Sequence, residues 1–392
     1  MCVCVCHFLL HASSGACLCV TVTRGARAHS QCLHTSLTYI CRWVRSAWRE
    51  QTEMCADDDP VKLPQMPPST EEFEAEGYVT LGNLVSPAYC SQLNARLERV
   101  LRGEFDTGLP PDKVPPFKAE ERVKPGKTAP PLGGPSKRTL QCVNIWKADR
   151  TFAALVKSPT LGRMVAELAG WPSGARVAND QVWAKPPGGA PLTFHRDSPY
   201  LDFVPNDVVT VWIALDDMDD ELGPLEYCVR SHLWGDGRVG TASQFFDVGD
   251  RFALLYDAAR REGIKDPEAS LRIERLSVKM GGCGIHNGRL WHGSGKNASA
   301  NRPRRGLGIH YVPAEARFRD ASANTTLAHR DRAPDGSNEL PTKSFPIVWA
   351  PAGEHSRLLT NHQGAADDGV TLSLRQRCIG AVELIIAKAV PA

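Results

Sequence analysis

Val208-Val-Thr-Val-Trp-Ile-Ala-Leu215 is the stretch that decides the fold. It is short, rich in β-branched residues and flanked by turn-forming residues, which is how a buried strand reads. Similar runs recur from about Arg176 onward: Gln181-Val-Trp183, Leu225-Glu-Tyr-Cys-Val229 and Leu307-Gly-Ile-His-Tyr-Val312. Pro and Gly separate them, so the second half of the chain is expected to form an antiparallel barrel or jelly roll. A helical insert around residues 241–272 interrupts the strands.

Upstream the pattern changes to helices. Ser69-Thr-Glu-Glu72 is a capping box, and Gly77 ends the short helix that it opens, ahead of a strand at Tyr78-Val-Thr-Leu81. Ser86-Pro87 starts a second helix, with Leu93, Leu97, Val100 and Leu101 on one stripe and Gly103 as its stop. A third begins at Ser158-Pro159, turns Leu161, Met164, Val165 and Leu168 inward and stops at Gly170. Helices first and strands afterwards indicate an α+β fold rather than alternating βαβ units. Residues 104–138 hold eight prolines and read as a long surface loop or lid.

Composition bounds the function. The 392 residues are 42% hydrophobic and 23% charged, and Lys+Arg 46 against Asp+Glu 44 leaves a net charge of +2. That balance supplies no general attraction for nucleic acid or an anionic membrane. No apolar run reaches the roughly 20 residues that span a bilayer. Eight of the 13 cysteines lie in the first 55 residues and the rest are scattered singly, which is the usage of a reduced, intracellular protein rather than a disulfide scaffold. The first 49 residues lack Asp and Glu but carry five arginines. This leader is read either as an organelle transit peptide or as an upstream stretch without function, the protein being cytoplasmic in the second case. The expected organisation is an extension over 1–65, a single domain over 66–350 with its β core at about 176–315, and a tail over 351–392.

Two segments carry chemistry. In Thr193-Phe-His195-Arg-Asp197-Ser-Pro-Tyr200 an extended backbone would put His195 and Asp197 on one face, where both can reach one ion. Leu290-Trp-His292-Gly-Ser-Gly295 supplies another imidazole. Two histidines and one carboxylate make a facial triad that leaves open positions on Fe(II). The tripeptide alone is weak: with 12 His and 44 acids in 392 residues, chance gives about one His-x-acid pair, and His195-Arg-Asp197 and His329-Arg-Asp331 both occur. The second lies in a charged Pro/Gly stretch that reads as a solvated loop. Neither is followed by the Asn of a kinase catalytic loop.

With these residues in place, the chain resembles the phytanoyl-CoA dioxygenase-like family of Fe(II)/2-oxoglutarate oxygenases from about Phe73 to Trp349. The resemblance rests on Glu76-Gly-Tyr-Val79, Arg102-Gly-Glu-Phe-Asp-Thr-Gly108, Trp183-Ala-Lys-Pro-Pro-Gly-Gly189, Phe194-His-Arg-Asp-Ser198, Val211-Trp-Ile-Ala-Leu-Asp-Asp217, Gly223-Pro-Leu-Glu226, Trp291-His-Gly-Ser-Gly-Lys-Asn297 and Arg302-Pro-Arg-Arg-Gly306. It implies a double-stranded β-helix (jelly-roll, cupin-like) core with flanking N-terminal helices. His195, Asp197 and His292 then stand as iron ligands. Arg304 grips the distal carboxylate of 2-oxoglutarate, Ser294 donates its hydroxyl to the same carboxylate, and Asn179 falls where relatives often carry a co-substrate-binding glutamine. O₂ is the other co-substrate. The implied reaction is hydroxylation of an unactivated C–H in a small organic or acyl substrate, with release of succinate and CO₂. The competing class is a cupin-like module that binds metal or ligand without oxidation.

Three departures from the family pattern bear on these assignments. The His292–Arg304 interval is one residue longer than usual, which keeps Arg305 as an alternative anchor. Arg230 stands where a glycine is usual. His286 is a rival ligand, read as a core or supporting histidine. Trp183, Trp212 and Trp234 are read as either pocket-lining or core, and the lysines and arginines of 113–138 as a solvated loop rather than an anion site.

Overall fold

Side-chain caps set where the helices begin. In the computed structural model, which describes residues 59–62, 67–114, 139–237, 249–319, 331–332 and 336–351, Ser69 Oγ accepts from the Glu72 N–H and opens α1 (Thr70–Glu76). Gly77 closes it at φ 88°, a conformation that costs a residue with a Cβ. Ser86 and Ser158 cap α2 (Pro87–Leu101) and α4 (Pro159–Leu168), each followed by a proline whose missing N–H is an orphan at that position anyway. Between them lies α3 (Arg150–Val156), capped by Asp149, which accepts from the Thr151 and Phe152 N–H groups. At seven residues α3 is too short to show a helical period in sequence. The insert holds α5 (Ala253–Arg261) and α6 (Pro267–Ser270). Most of the 1–65 extension, residues 115–138 of the Pro-rich loop, 238–248 of the insert, His329 and nearly all of the tail lie outside the described residues. Packing begins ahead of Ser69, however: Asp59 accepts from the Ser158 hydroxyl at 2.7 Å, and Val61 is buried and bridged to Val85.

The strands are β1 (Tyr78–Leu81), β2 (Leu140–Val143), β3 (Ala175–Lys185), β4 (Leu192–His195), β5 (Phe203–Val204), β6 (Val209–Ala214), β7 (Leu225–Cys228), β8 (Ile273–Arg275), β9 (Cys283–Asn287), β10 (His292–Ser294), β11 (Arg304–Pro313), β12 (Arg317–Phe318) and β13 (Ile347–Trp349). They pair antiparallel throughout. A large sheet runs β1-β9-β6-β11-β3-β13, with β2 also on β3, and a small one runs β4-β10-β7-β8. These two sheets are the walls of a double-stranded β-helix, and the fold is α+β.

Alternation along the strands sorts the residues by face. On the convex side of the large sheet, Val209, Val211, Ile213, Leu307, Ile309 and Tyr311 join Leu93, Leu97, Phe152, Leu161 and Val165 in one core under α2, α3 and α4. Behind the small sheet, Phe194, Cys228 and Trp291 pack with Leu255 and Ala258 of α5. The inner faces meet where Trp212 and Ala214 of β6 pack with Leu225 and Tyr227 of β7. The register β3–β11–β6–β9 sets Asn179, His310, Thr210 and His286 in one row across the inner face. Lys185 and Arg304 form a cross-strand pair at the far end of β3 and β11.

Candidate active site

β4 ends at His195, and the backbone then turns. Asp197 sits at φ −79°, ψ −44° and leads into a 3₁₀ turn over Ser198–Tyr200. The extended geometry expected for the His-Arg-Asp tripeptide is therefore not what aligns the two groups. The Asp197 and Ser198 N–H groups both donate to Gly288 O at 2.9 Å, and that turn sets the carboxylate beside His195 and His292. His292 opens β10 directly opposite His195 in register. One donor atom from each of His195, Asp197 and His292 lies within 4.8 Å of the others, and Nε2 of each histidine is 3.7–3.8 Å from Asp197 Oδ1.

Both rings are oriented the same way. His195 Nδ1 lies 2.8 Å from Thr193 O and His292 Nδ1 lies 3.0 Å from Leu290 O. A carbonyl can only accept, so each Nδ1 carries the proton and each Nε2 presents a lone pair. Burial pulls His195 down to about 3 and His292 to about 4, neighbouring imidazoles adding to the fall and the Asp197 carboxylate opposing it. Both rings are thus neutral at physiological pH. Asp197 is also buried, which alone would raise its carboxyl, but the imidazoles of His292, His310 and His286 outweigh that and hold it well below the usual range. Its Oδ2 accepts from the Thr210 hydroxyl at 2.7 Å and lies 3.2 Å from His286 Nε2 and 3.5 Å from His310 Nε2. Oδ1 is left facing the histidines. Two imidazole nitrogens and one carboxylate oxygen on one side of a point are the donor set of a 2-His-1-carboxylate metal site.

His286 supports this arrangement from behind. Its Nε2 faces Asp197 and its Nδ1 faces the Tyr227 hydroxyl at 3.3 Å, so both nitrogens are engaged. Sequence reasoning gave no part to Thr210 or His310. Their signal was the period: Thr210 interrupts an apolar strand, and His310 is six residues from Arg304 on the same face of β11.

Arg304 is 1% exposed, its Nε and Nη2 have no hydrogen-bond partner, and its guanidinium lies over the Trp212 ring at 4.6 Å. Burial pulls it down to about 10, where it stays charged. A buried guanidinium with unfilled donors fits a carboxylate, which the planar fork can hold with two bonds. Arg305 points away and is already bidentate on Asp216, at 2.9 and 2.5 Å. The extra residue in the His292–Arg304 interval lies in the loop before β11, which Asn297 pins by donating to Pro186 O and Arg302 O. Ser294 is fully buried on the inner face of β10, accepting from Lys185 Nζ at 2.8 Å. Asn179 is buried opposite His310, and its Oδ1 has no partner. Lys185, quoted in sequence but given no role, is fully buried beside Arg304. Of the three tryptophans, Trp212 floors the Arg304 site, Trp183 lies on the inner face at a partly exposed position, and Trp234 packs behind the small sheet near α5.

Arg230 takes φ 68°, the left-handed conformation natural to the glycine that it replaces, and its N–H still reaches Glu76 O at 2.9 Å. The turn is preserved at the expense of backbone strain.

A family model described as phytanoyl-CoA dioxygenase matches residues 73–306. A probable alpha-ketoglutarate-dependent hypophosphite dioxygenase of Stutzerimonas stutzeri is 29% identical over 163 residues, 42% of this chain and 53% of that protein. The match thus spans about half the length of that relative. Among solved structures, the non-heme alpha-ketoglutarate-dependent epimerase SnoN of nogalamycin biosynthesis is similar with a TM-score of 0.52 at 20% identity, covering 71% of this chain and 96% of that one. The carbocyclase SnoK of the same biosynthesis gives 0.52 at 22% identity, covering 71% and 94%. Both likenesses concern the fold.

Proposed function

This chain belongs to the phytanoyl-CoA dioxygenase family, and from that premise we propose that it is an Fe(II)- and 2-oxoglutarate-dependent oxygenase that hydroxylates an unactivated C–H bond of a small organic or acyl substrate, releasing succinate and CO₂. The reading is carried by a three-donor cluster, His195, Asp197 and His292, together with a buried guanidinium with unfilled donors, Arg304, on the same strand as His310, whose Nε2 lies 3.5 Å from Asp197. A module that only bound a metal would have no use for the second feature.

When bound, iron supplies the activation of O₂ that drives oxidative decarboxylation of the 2-oxo acid and cleavage of the C–H bond. The chain supplies geometry. His195 and His292 present Nε2 because backbone carbonyls hold their Nδ1 protons. Asp197 presents Oδ1 because Thr210 and His286 occupy its other oxygen, a type of support that tunes ligand orientation and affinity. Arg304, on its Trp212 floor, and Ser294 hold the distal carboxylate, which fixes the co-substrate in one orientation. The apolar contact of Trp212, Leu225 and Tyr227 keeps water from that end of the barrel and strengthens the charge pairing there. The structurally similar proteins include an epimerase and a carbocyclase, so the outcome for the substrate depends on how it is posed beside the metal site. A carboxylate at Asp197, a position that related halogenases leave vacant, favours hydroxylation.

The test is succinate release and O₂ uptake by the full chain with Fe(II) and 2-oxoglutarate, screened against a metabolite panel in air and anaerobically. Iron- and O₂-dependent succinate with a hydroxylated product, lost in Asp197→Ala, is the expected result. Metal binding without O₂-dependent turnover on any substrate would leave a binding module.

A further inference from the structure

Two basic side chains with no counter-ion stand side by side where the end of β3 meets the start of β11. Arg304 and Lys185 are cross-strand partners, so their side chains leave the same face of the large sheet. They are 1% and 0% exposed. Neither makes an ion pair among the described residues. The nearby acids are taken: Glu226 by Arg251 and Arg275, Asp216 by Arg305. A buried lysine without a carboxylate is costly enough that its retention calls for a reason.

The hydrogen bonds supply one. Lys185 Nζ donates to Ser294 Oγ at 2.8 Å and to Gly295 O at 2.5 Å, and an ammonium has three protons. With Lys185 donating to its oxygen, Ser294 must send its own proton elsewhere, and no acceptor for it is present among the described residues. The open donors are then the Arg304 Nε and Nη2 protons, the Ser294 hydroxyl and, in the protonated form that a carboxylate restores, a third Lys185 N–H. We infer that Lys185 is a second cationic contact for the distal carboxylate of 2-oxoglutarate, acting beside Arg304 and aiming the Ser294 hydroxyl into the site; this rests on the oxygenase reading above.

The charged groups facing Lys185 are Arg304 from β11, Glu226 from β7 and Arg251 ahead of α5. Burial first, and then Arg304, hold its ammonium well below the usual lysine value, while Glu226 opposes them. An arriving dianion restores the charged form, so co-substrate binding takes up a proton, and affinity falls as pH rises past the value for the empty site.

The experiment is calorimetric titration of 2-oxoglutarate into the full chain loaded with Mn(II), in two buffers of different ionisation enthalpy between pH 6 and 9. Wild type is expected to take up as much as one proton and to bind more weakly at higher pH. Lys185→Met should raise Kd roughly 10- to 100-fold, the ratio commanded by a charge-assisted hydrogen bond, and abolish the uptake with Mn(II) affinity unchanged. A neutral-ended analogue, 2-oxoglutaramate, tests the same point without a substitution and should bind wild type with no proton uptake. Equal uptake for both compounds, or wild-type binding in Lys185→Met, overturns the inference and leaves Lys185 as a tie between β3 and β10. Absence of 2-oxoglutarate binding to wild type overturns the oxygenase reading as well.

Discussion

Gly306 and Gly308 occupy the same face of the same strand, two residues apart, yet a methyl group should be refused at one and accepted at the other. Both are extended, so alanine meets no backbone penalty. A Cβ at Gly306 would sit 2.0 Å from Trp212 Cζ2 and 2.5 Å from Cε2, whereas at Gly308 the nearest atom is Trp212 Cδ1 at 3.6 Å. Ordinary carbon contacts begin near 3.5 Å, so the Gly306→Ala indole must move by about 1.5 Å. Trp212 lies between the small-sheet core and the Arg304 guanidinium, so it cannot move without losing contacts on one side. Overpacking of this kind costs about 1–3 kcal/mol of stability, and disturbing the cation–π contact takes about 1 kcal/mol more from the Arg304 site. Gly308→Ala should stay within about 0.5 kcal/mol of wild type. Urea unfolding gives the stabilities, and titration with 2-oxoglutarate gives the second effect: Kd up by about fivefold or more in Gly306→Ala and unchanged in Gly308→Ala. Equal behaviour of the two variants in both assays would refute the placement of Trp212 beneath Arg304.

Three further outcomes follow from single contacts. Thr210→Val keeps the shape but removes the 2.7 Å donor to Asp197 Oδ2, and metal affinity should fall about tenfold; unchanged affinity in a metal titration contradicts the support role. Arg230→Gly relieves a left-handed arginine and should raise the urea midpoint by the equivalent of about 1 kcal/mol, while a loss of stability would show that the side chain compensates the strain. Asp180 is fully buried, accepts from the Ile145 and Trp146 N–H groups, and is pushed by burial up to about 7. Its folded value lies above its ordinary one of 3.8, so its contribution is complete below that ordinary value and is lost as pH rises through the folded one. Wild-type stability should therefore decline between pH 4 and 7 by as much as about 1.4 kcal/mol per unit, and Asp180→Asn should flatten that slope; an unchanged slope assigns the decline to other groups.

The sequence exposed whatever depends on local pattern. Ser69, Ser86 and Ser158 mark helix starts because a cap is a short-range bond, and the strands of the β core show as β-branched runs between Pro and Gly. α3 escaped notice because seven residues hold too little periodicity. The candidate site was legible where chemistry is concentrated in few residues, as at His195, Asp197, His292 and Arg304. It was not legible where a role arises from register. Thr210, His286 and His310 reach Asp197 only because β6, β9 and β11 are neighbours in space, and Lys185 meets Ser294 across 109 positions of chain. Even the His195–Asp197 pairing was anticipated for the wrong geometry, since a turn anchored on Gly288 rather than an extended strand brings the carboxylate round.

The most direct measurement is a crystal of the full chain grown anaerobically with Mn(II) in place of iron and with 2-oxoglutarate. An anomalous peak bounded by His195 Nε2, Asp197 Oδ1 and His292 Nε2, with a carboxylate end of the ligand on Arg304, is the predicted result. Metal bound elsewhere, or an Arg304 guanidinium that stays unfilled while 2-oxoglutarate binds at another place, would contradict the account.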